Sequence, residues 1–257
     1  MSVNLRSVLP QPEAARQARI DLAACHRLAA RFGFNEGIDN HLTLLVPGYS
    51  DRFYLAPFGL HWSEVRASDF MEIGFDGRIA SGHGPVEDTA LFIHLSVHKY
   101  ARRARCVLHT HMLHATALCM LENPRLEMAL QSAVGFYDEI EYDCDYHGLA
   151  YSAAEGERLA RALGDKSVLM MRNHGVLVVG ESVAEAFEKM YFLERACQAQ
   201  VLALSTGRPL RLIPQEIVRE TARQFKIGCK VDGNERTALH FSALKRLLDR
   251  SEPDYAS

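Results

Sequence analysis

The hydrophobic and polar positions of the chain change their spacing several times along its length. Residues 13–32 carry an apolar stripe at helical spacing and predict a long helix. Residues 41–47 and 52–56 are short apolar runs typical of strands, and residues 70–79 predict a hairpin around an Asp-Gly turn. The first part of the chain is therefore expected to form a helix followed by antiparallel strands.

The rest of the chain alternates helical patterns with apolar strands. Helices are predicted at 87–101, 114–121, 153–163, 183–205, 214–224 and 236–250, and strands at 106–111, 133–141 and 168–179. The pattern favours an α/β fold in which helices cover a mixed, largely antiparallel sheet. We expect an N-terminal arm at residues 1–13, one domain at 14–208, and a C-terminal helical extension at 209–257 packed on that domain.

Three histidines stand at the ends of apolar runs. His109 and His111 are two residues apart on a predicted strand, where positions i and i+2 point to the same face. His174 follows another apolar run. Three imidazoles that leave one position open are a common arrangement for a catalytic divalent ion. The cysteines lie singly, so no Cys-x-x-Cys pair is present to build a structural zinc site.

Each of these residues also has a simpler structural explanation. A single His-x-His pair is more often hydrogen-bonded structure than a metal site. Glu87 follows Gly84-Pro85 and opens a predicted helix, where a carboxylate is favourable at the positive end of the helix dipole. His94 and His98 are spaced i, i+4 on that helix, and without a His-Glu-x-x-His motif we expect them to pack along one helix face.

The order of the motifs carries more information than any one of them. Along the chain they are Gly37-Ile38-Asp39-Asn40, Pro57-Phe58-Gly59-Leu60, Glu87, His109-Thr110-His111 and Asn173-His174-Gly175. In this order and spacing they resemble the class II aldolase and adducin-head family over about residues 14–207. The resemblance implies a three-layer α/β/α fold with a central mixed, largely antiparallel sheet.

The resemblance also implies roles for the residues that would bind the metal or lie beside it. His109, His111 and His174 match the three metal ligands of the family. Glu87 matches its acid/base carboxylate, which can also approach the metal in the resting state. One divalent ion per chain is expected, and three imidazoles suit zinc, with manganese, cobalt, nickel and iron left open.

On the substrate side, Asn40 and Gly59 match substrate-binding positions of the family. Its aldolases also use a tyrosine from a neighbouring subunit as a proton donor, but Cys144 stands at the matching position here. Tyr142 and Tyr146 are the nearby candidates, with surface or interface packing as the alternative. The resemblance further implies a homotetramer with active sites at subunit borders.

The chain departs from the sugar-phosphate aldolases where those enzymes bind phosphate. In those enzymes small hydroxyl residues before the glutamate and a Thr-Gly pair in the earlier loop donate hydrogen bonds to the phosphate, whereas those places hold Pro85, Val86 and Phe58 here. Proline has no backbone N–H, and the other two side chains offer only carbon, so a phosphate dianion would lose several hydrogen-bond donors. We therefore expect an unphosphorylated substrate, flatter or more apolar, such as an aromatic or keto acid.

Three functions follow from the resemblance. The first is a metal-dependent lyase that cleaves a carbon–carbon bond next to a carbonyl through a metal-stabilised enolate. The second is a decarboxylase of an aromatic or keto acid on the same fold, because loss of carbon dioxide leaves a similar carbanion. The third is a non-catalytic binding module like the adducin heads, which a complete set of metal ligands disfavours.

Composition and charge limit the classes of partner that the sequence predicts. The formal net charge is −3 and no basic run is present, which argues against nucleic acid. No long apolar segment predicts a membrane span, and the first residues lack an apolar signal core. The sequence thus indicates a cytoplasmic protein whose partner is a small-molecule substrate.

Overall fold

The computed structural model describes residues 11–228, 230–231 and 234–257. Its helices are α1 (Gln11–Arg31), α2 (Asp88–Tyr100), α3 (Leu113–Cys119), α4 (Gln131–Val134), α5 (Ala153–Leu163), α6 (Val183–Leu204), α7 (Gln215–Ile227) and α8 (Arg236–Ser251). Its strands are β1 (His41–Leu45), β2 (Arg52–Leu55), β3 (Met71–Gly74), β4 (Ile79–Ser81), β5 (Cys106–Thr110), β6 (Ile140–Asp143), β7 (Val168–Met171), β8 (Gly175–Gly180), β9 (Lys230–Val231) and β10 (Asn234–Glu235). Residues 1–10, most of the predicted arm, lie outside the described residues.

The strands β1 to β8 form one sheet within the described part of the chain, in the order β4-β3-β2-β1-β5-β8-β7-β6. All neighbouring pairs are antiparallel except β6 and β7, which are parallel. This is the mixed, largely antiparallel sheet that the sequence predicts. β1, β5 and β8 lie side by side at its centre, so the histidine-bearing segments are neighbours.

Helices cover both faces of the sheet and complete three layers. On one face, α2 and α5 pack against alternate strand residues such as Val107 and Leu169. On the other face, α1, α3, α6 and α8 pack against residues of the opposite parity, such as Leu108 and Met170. Because successive strand residues point to opposite faces, one strand supplies both cores.

Helix α2 lies unusually close to α5. A Cβ atom at Gly156 of α5 would lie 2.1 Å from the carbonyl oxygen of Phe92 and 2.7 Å from the hydroxyl of Ser96, so only glycine allows this approach. The contact fixes α2 over the sheet, and with it the residue that precedes the helix, Glu87.

Three predicted elements differ from the structure. Helix α1 begins at Gln11, so residues 11–13 belong to the helix and not to an arm. The predicted strand at 133–141 is wrong in its first part, because residues 133–134 end α4 and residues 135–139 form turns before β6 starts at Ile140. Hydrophobicity alone does not separate a short helix from a short strand in such a run.

The third difference concerns His174. The predicted single strand at 168–179 is wrong, because β7 and β8 are antiparallel strands joined by a turn at residues 172–174. Asn173 has a φ of 54°, in the left-handed region that interrupts a strand. His174 therefore lies in a turn at the end of the sheet.

No helix among the described residues is long and apolar enough to cross a membrane.

Candidate active site

Four segments meet at one end of the central strands. β1 begins at His41 and β5 ends at Thr110, and His41 pairs across these antiparallel strands with His109. The turn between β7 and β8 reaches the same end, and α2 begins above it. This convergence gathers side chains that are far apart in sequence.

His109, His111 and His174 form a compact group. One ring nitrogen of each lies within 4.8 Å of the others, and the ring centroids are 4.8 to 5.1 Å apart. His109 lies in β5, His111 follows its last residue, and His174 comes from the turn. Three imidazoles from two neighbouring segments thus face one another, as a metal site requires.

The second nitrogen of two of these rings is fixed from behind. His109 Nδ1 donates to the carbonyl oxygen of Val176 at 3.0 Å, which leaves Nε2 without a hydrogen. His111 Nδ1 lies 2.5 Å from a carboxylate oxygen of Glu36, and its buried Nε2 has no hydrogen-bond partner. An outer hydrogen bond that sets the tautomer is characteristic of metal-binding histidines. The donor set therefore fits a divalent ion.

Burial keeps the imidazoles of His109 and His174 in the neutral form that binds metal. Desolvation, with a smaller contribution from the neighbouring histidines, lowers the pKa of His109 well below its ordinary value. The same two causes lower the pKa of His174 from 6.5 to about 4. Neutral imidazoles present free lone pairs at neutral pH, so a metal does not have to displace protons from these two rings.

Glu87 lies beside this group with both carboxylate oxygens hydrogen-bonded. Oε2 accepts from His41 Nε2 at 2.6 Å, and Oε1 accepts from the hydroxyl of Thr89. Burial alone would raise the pKa of Glu87, but the hydrogen bonds from His41 and Thr89 outweigh it and hold the pKa below the ordinary value. The group is an ionised, partly buried carboxylate, ready to accept a proton.

A cavity of about 230 Å³ opens over the three histidines and Glu87. Asn40 forms part of its wall, and the Asn40 side-chain oxygen accepts from the backbone N–H of His111 at 3.2 Å. The lining residues are Asp39, Asn40, His41, Glu87, Thr89, Ile93, His109, His111, Leu149, Ala150, Tyr151 and His174. The cavity thus combines titratable groups with carbon surface from residues such as Ile93, Leu149 and Tyr151.

Comparison with known proteins identifies the family. The protein-family model described as "Class II Aldolase and Adducin N-terminal domain" matches residues 20–201 of this chain. The chain belongs to the class II aldolase and adducin family. A solved aldolase II superfamily protein from Pseudomonas syringae is 33% identical, with 98% of each chain covered and a TM-score of 0.88.

Two further relatives in the class II aldolase and adducin family differ in kind. Decarboxylase NovR of Streptomyces niveus is 29% identical over 91% of this chain and 85% of its own length. Alpha-adducin of Rattus norvegicus is 35% identical over 90% of this chain, which corresponds to 33% of the adducin. The family therefore shows the fold and a common ancestry, while the reaction must be argued from the site.

The structure brings together most, but not all, of the residues that the family resemblance singled out. Glu87, Asn40 and the three histidines share the cavity, whereas Gly59 is not among its lining residues. Tyr142 points away: its hydroxyl accepts from the backbone N–H of Leu126 at 3.1 Å. Tyr146 is 51% exposed and lines a small neighbouring depression that also includes His174. It thus remains the nearer of the two tyrosine candidates.

Several cavity residues were not singled out from the sequence. Thr89 and Ile93 are four residues apart and lie on one face of the predicted helix, but helical spacing does not place Glu87 on that face. Leu149 and Tyr151 belong to a segment without regular structure, where no hydrophobic period signals a cavity wall. His94 and His98 pack along α2 as expected and bind Thr43, not the three-histidine group.

Proposed function

We propose that the chain is a divalent-metal-dependent lyase that cleaves a carbon–carbon bond next to a carbonyl group. One observation carries the proposal: three imidazoles whose nitrogens lie within 4.8 Å of one another share a cavity with a fixed carboxylate. His109, His111 and His174 would hold the ion, with zinc as the first expectation. The outer hydrogen bonds to Val176 and Glu36 support this role.

The residues around the ion site suit the proton transfers of such a reaction. A bound divalent ion supplies Lewis-acid stabilisation for the negative charge that develops on a substrate oxygen. In aldol cleavage, a base takes the hydroxyl proton as the carbon–carbon bond breaks, and an acid returns a proton to the carbon that keeps the electron pair. Glu87 is the carboxylate at hand for these steps, and Asn40 lies where it can contact substrate.

The cavity supports an unphosphorylated substrate. Among the described residues that line it there is no lysine or arginine to bind a phosphate, and Ile93, Leu149 and Tyr151 offer carbon surface. In the loop that would bind phosphate, the backbone N–H of Phe58 already donates to the carbonyl oxygen of Pro85 at 3.0 Å. A neutral or carboxylate substrate with a flat, apolar part is the better match.

A decarboxylase of an aromatic or keto acid is the second candidate. It is supported by the apolar wall of the cavity and by the similarity to Decarboxylase NovR. Loss of carbon dioxide also leaves an electron pair next to an oxygen, so the same site could serve both reactions. A non-catalytic module of the adducin type is the third candidate, and a buried set of three imidazoles beside a carboxylate argues against it.

The first experiment compares wild type, His174→Ala and Glu87→Gln. Elemental analysis should find about one divalent ion per wild-type chain, little in His174→Ala, and the wild-type amount in Glu87→Gln. The zinc-loaded proteins are then screened with unphosphorylated hydroxy-keto acids and aromatic hydroxy acids. Aldehyde release indicates aldol cleavage, carbon dioxide release indicates decarboxylation, and Glu87→Gln should lose either activity.

Two outcomes would contradict the proposal. Absence of metal from wild type after incubation with zinc or manganese would remove the lyase mechanism and favour the binding module. Wild-type turnover in Glu87→Gln would remove Glu87 from the mechanism while leaving the metal site intact.

We also propose that the chain forms a homotetramer with its sites at subunit borders. Leu149 and Tyr151 line the cavity yet are 63% and 60% exposed, as expected for a cavity that a neighbouring copy completes. Light scattering would give the mass, and a monomer of undiminished activity would contradict this arrangement.

A further inference from the structure

A row of buried polar side chains lies between α2 and the sheet, directly behind Glu87. It consists of His41 and Thr43 on β1 and of His94 and His98 on α2, and we call it the histidine row. All four residues are at most 7% exposed. In the proposed mechanism, none of these four side chains binds the metal or the substrate. Buried imidazoles are costly unless hydrogen bonds satisfy them, so the pattern of those bonds is informative.

The hydrogen positions in the row follow from its far end. His98 Nδ1 lies 2.5 Å from the carbonyl oxygen of Ala104, which can only accept, so Nδ1 carries the hydrogen. Burial lowers the pKa of His98 to about 4, and the neutral ring therefore accepts at Nε2 from the hydroxyl of Thr43 at 2.8 Å. Thr43 has then donated its only hydrogen and must accept from His94 Nδ1 at 2.5 Å.

These bonds leave His94 in one orientation and one tautomer. Its Nδ1 carries the hydrogen, and its buried Nε2 is a lone pair without a hydrogen-bond partner. The His94 ring meets the His41 ring edge to face, with centroids 5.3 Å apart and planes at 84°. On its other side, His41 lies 5.3 Å from the His109 ring at 33°. The His41 ring is thus held between two rings whose own positions are fixed.

His41 has one hydrogen-bonded carboxylate partner, and that partner is Glu87. The His41 Nε2 to Glu87 Oε2 distance is 2.6 Å, and the Thr89 hydroxyl donates to the other oxygen. Two donors on two oxygens fix the rotation of a carboxylate. Without His41, the Glu87 carboxylate would keep the hydrogen bonds from Thr89 and from the backbone of Ala90 but lose the donor that fixes Oε2, so it would be held less firmly beside the three-histidine group.

We propose that His41 is the positioning residue for Glu87, and that the ordered hydrogen bonds from Ala104 through His98 and Thr43 fix the His94 ring, whose edge-to-face contact holds His41 in place. The inference rests on the proposed role of Glu87 as the proton carrier. Its consequence is specific: loss of His41 should slow proton transfer without removing the metal or weakening substrate binding.

The first test needs no substrate. Nitrogen-15 NMR of the zinc-loaded full chain should show His94 and His98 as Nδ1–H tautomers. The His41 Nε2–H should give a strongly downfield proton that is absent from both His41→Leu and Glu87→Ala. A Nε2–H tautomer at either His94 or His98, or persistence of the downfield proton in Glu87→Ala, would overturn the proposal.

The second test measures proton transfer with hydroxyacetone as the probe. In heavy water the base removes a proton from the carbon next to the carbonyl, the electron pair moves to the carbonyl oxygen, and a deuteron returns to the carbon. In His41→Leu the maximal exchange rate should fall roughly 100-fold, a size typical of general-base catalysis, with KM and zinc content unchanged. His41→Gln keeps an amide donor and should recover most of the rate.

A matched control separates this role from simple packing. His240 and Glu188 form another histidine–carboxylate pair, at 3.3 Å, whose members do not line the cavity, so His240→Leu should exchange at the wild-type rate. Equal losses in His41→Leu and His41→Gln, together with lost zinc, would mean that His41 only supports the fold. If wild type itself exchanges no protons, the proposed lyase chemistry fails for this probe, and the NMR result alone decides the role of His41.

Discussion

His26 offers a quantitative test of how this fold treats a buried imidazole away from the metal site. It lies on α1, is 1% exposed, and its ring contacts Trp62 and Phe70 with centroids 5.4 and 5.5 Å away. Its Nδ1 donates to the carbonyl oxygen of Leu22 at 2.8 Å. Burial lowers the pKa of His26 from 6.5 to about 4, which the hydrogen bond to Leu22 only partly offsets.

The shift sets the direction and size of an effect on stability. Above pH 6.5 the ring is neutral in both the folded and unfolded states, so it makes no pH-dependent contribution. As the pH falls from 6.5 to about 4, the unfolded chain takes up a proton that the folded chain does not, and the free energy of unfolding decreases. At about 1.4 kcal/mol per pKa unit, the loss from this residue is on the order of 3 kcal/mol.

The perturbation is His26→Phe, which keeps a ring of similar shape but cannot bind a proton. In this variant the carbonyl oxygen of Leu22 still accepts a hydrogen bond, because it also accepts from the backbone N–H of the residue four positions further along the helix. Denaturant unfolding at several pH values between 6.5 and 4 should show wild type losing about 3 kcal/mol more than the variant. Substitution of the exposed His83 by Gln is the control and should follow wild type. Parallel pH curves for wild type and His26→Phe would refute the assignment.

The remaining predictions concern the supports of the metal ligands. Gly175→Ala would place a Cβ atom 2.6 Å from His111 Cδ2 and 2.7 Å from the carbonyl oxygen of Thr110, so zinc affinity should fall by at least about tenfold in calorimetric titration. Wild-type affinity in that variant would mean that the ligand turn is more adaptable than its contacts indicate. Glu36→Gln keeps a hydrogen-bond acceptor for His111 but removes the negative charge of the carboxylate. Zinc competition with a chelator should therefore show roughly tenfold weaker zinc binding in this variant. An unchanged zinc affinity would mean that Glu36 does not support His111 as a metal ligand.

The parts of the site that the sequence could predict are those set by a simple period. The two-residue repeat of a strand places His109 and His111 at the same end, and the helix-start signals at Pro85 place Glu87 before α2. The position of His174 was harder to predict, because the apolar runs on both sides of Arg172, Asn173 and His174 favoured one continuous strand, whereas Asn173 forms a turn through its positive φ. The apolar wall at Leu149 and Tyr151 comes from an irregular segment, whose course depends on tertiary contacts that no local pattern encodes.

One face of the sheet links the metal ligands to the groups that hold the base. Strand alternation puts His41 and Thr43 of β1 on the side that faces α2, and the antiparallel register places His41 opposite His109. A core built only for stability would fill this layer with aliphatic side chains, since each buried imidazole requires a hydrogen-bond partner to offset its desolvation. The buried imidazoles of His94 and His98 pack against the same face, and their hydrogen bonds, donated in sequence towards the carbonyl of Ala104, fix the His94 ring that contacts His41. A one-residue shift of β1 against β5 would remove the support of the base and the pairing with His109 together, which is why the register of this strand pair is central to the proposed chemistry.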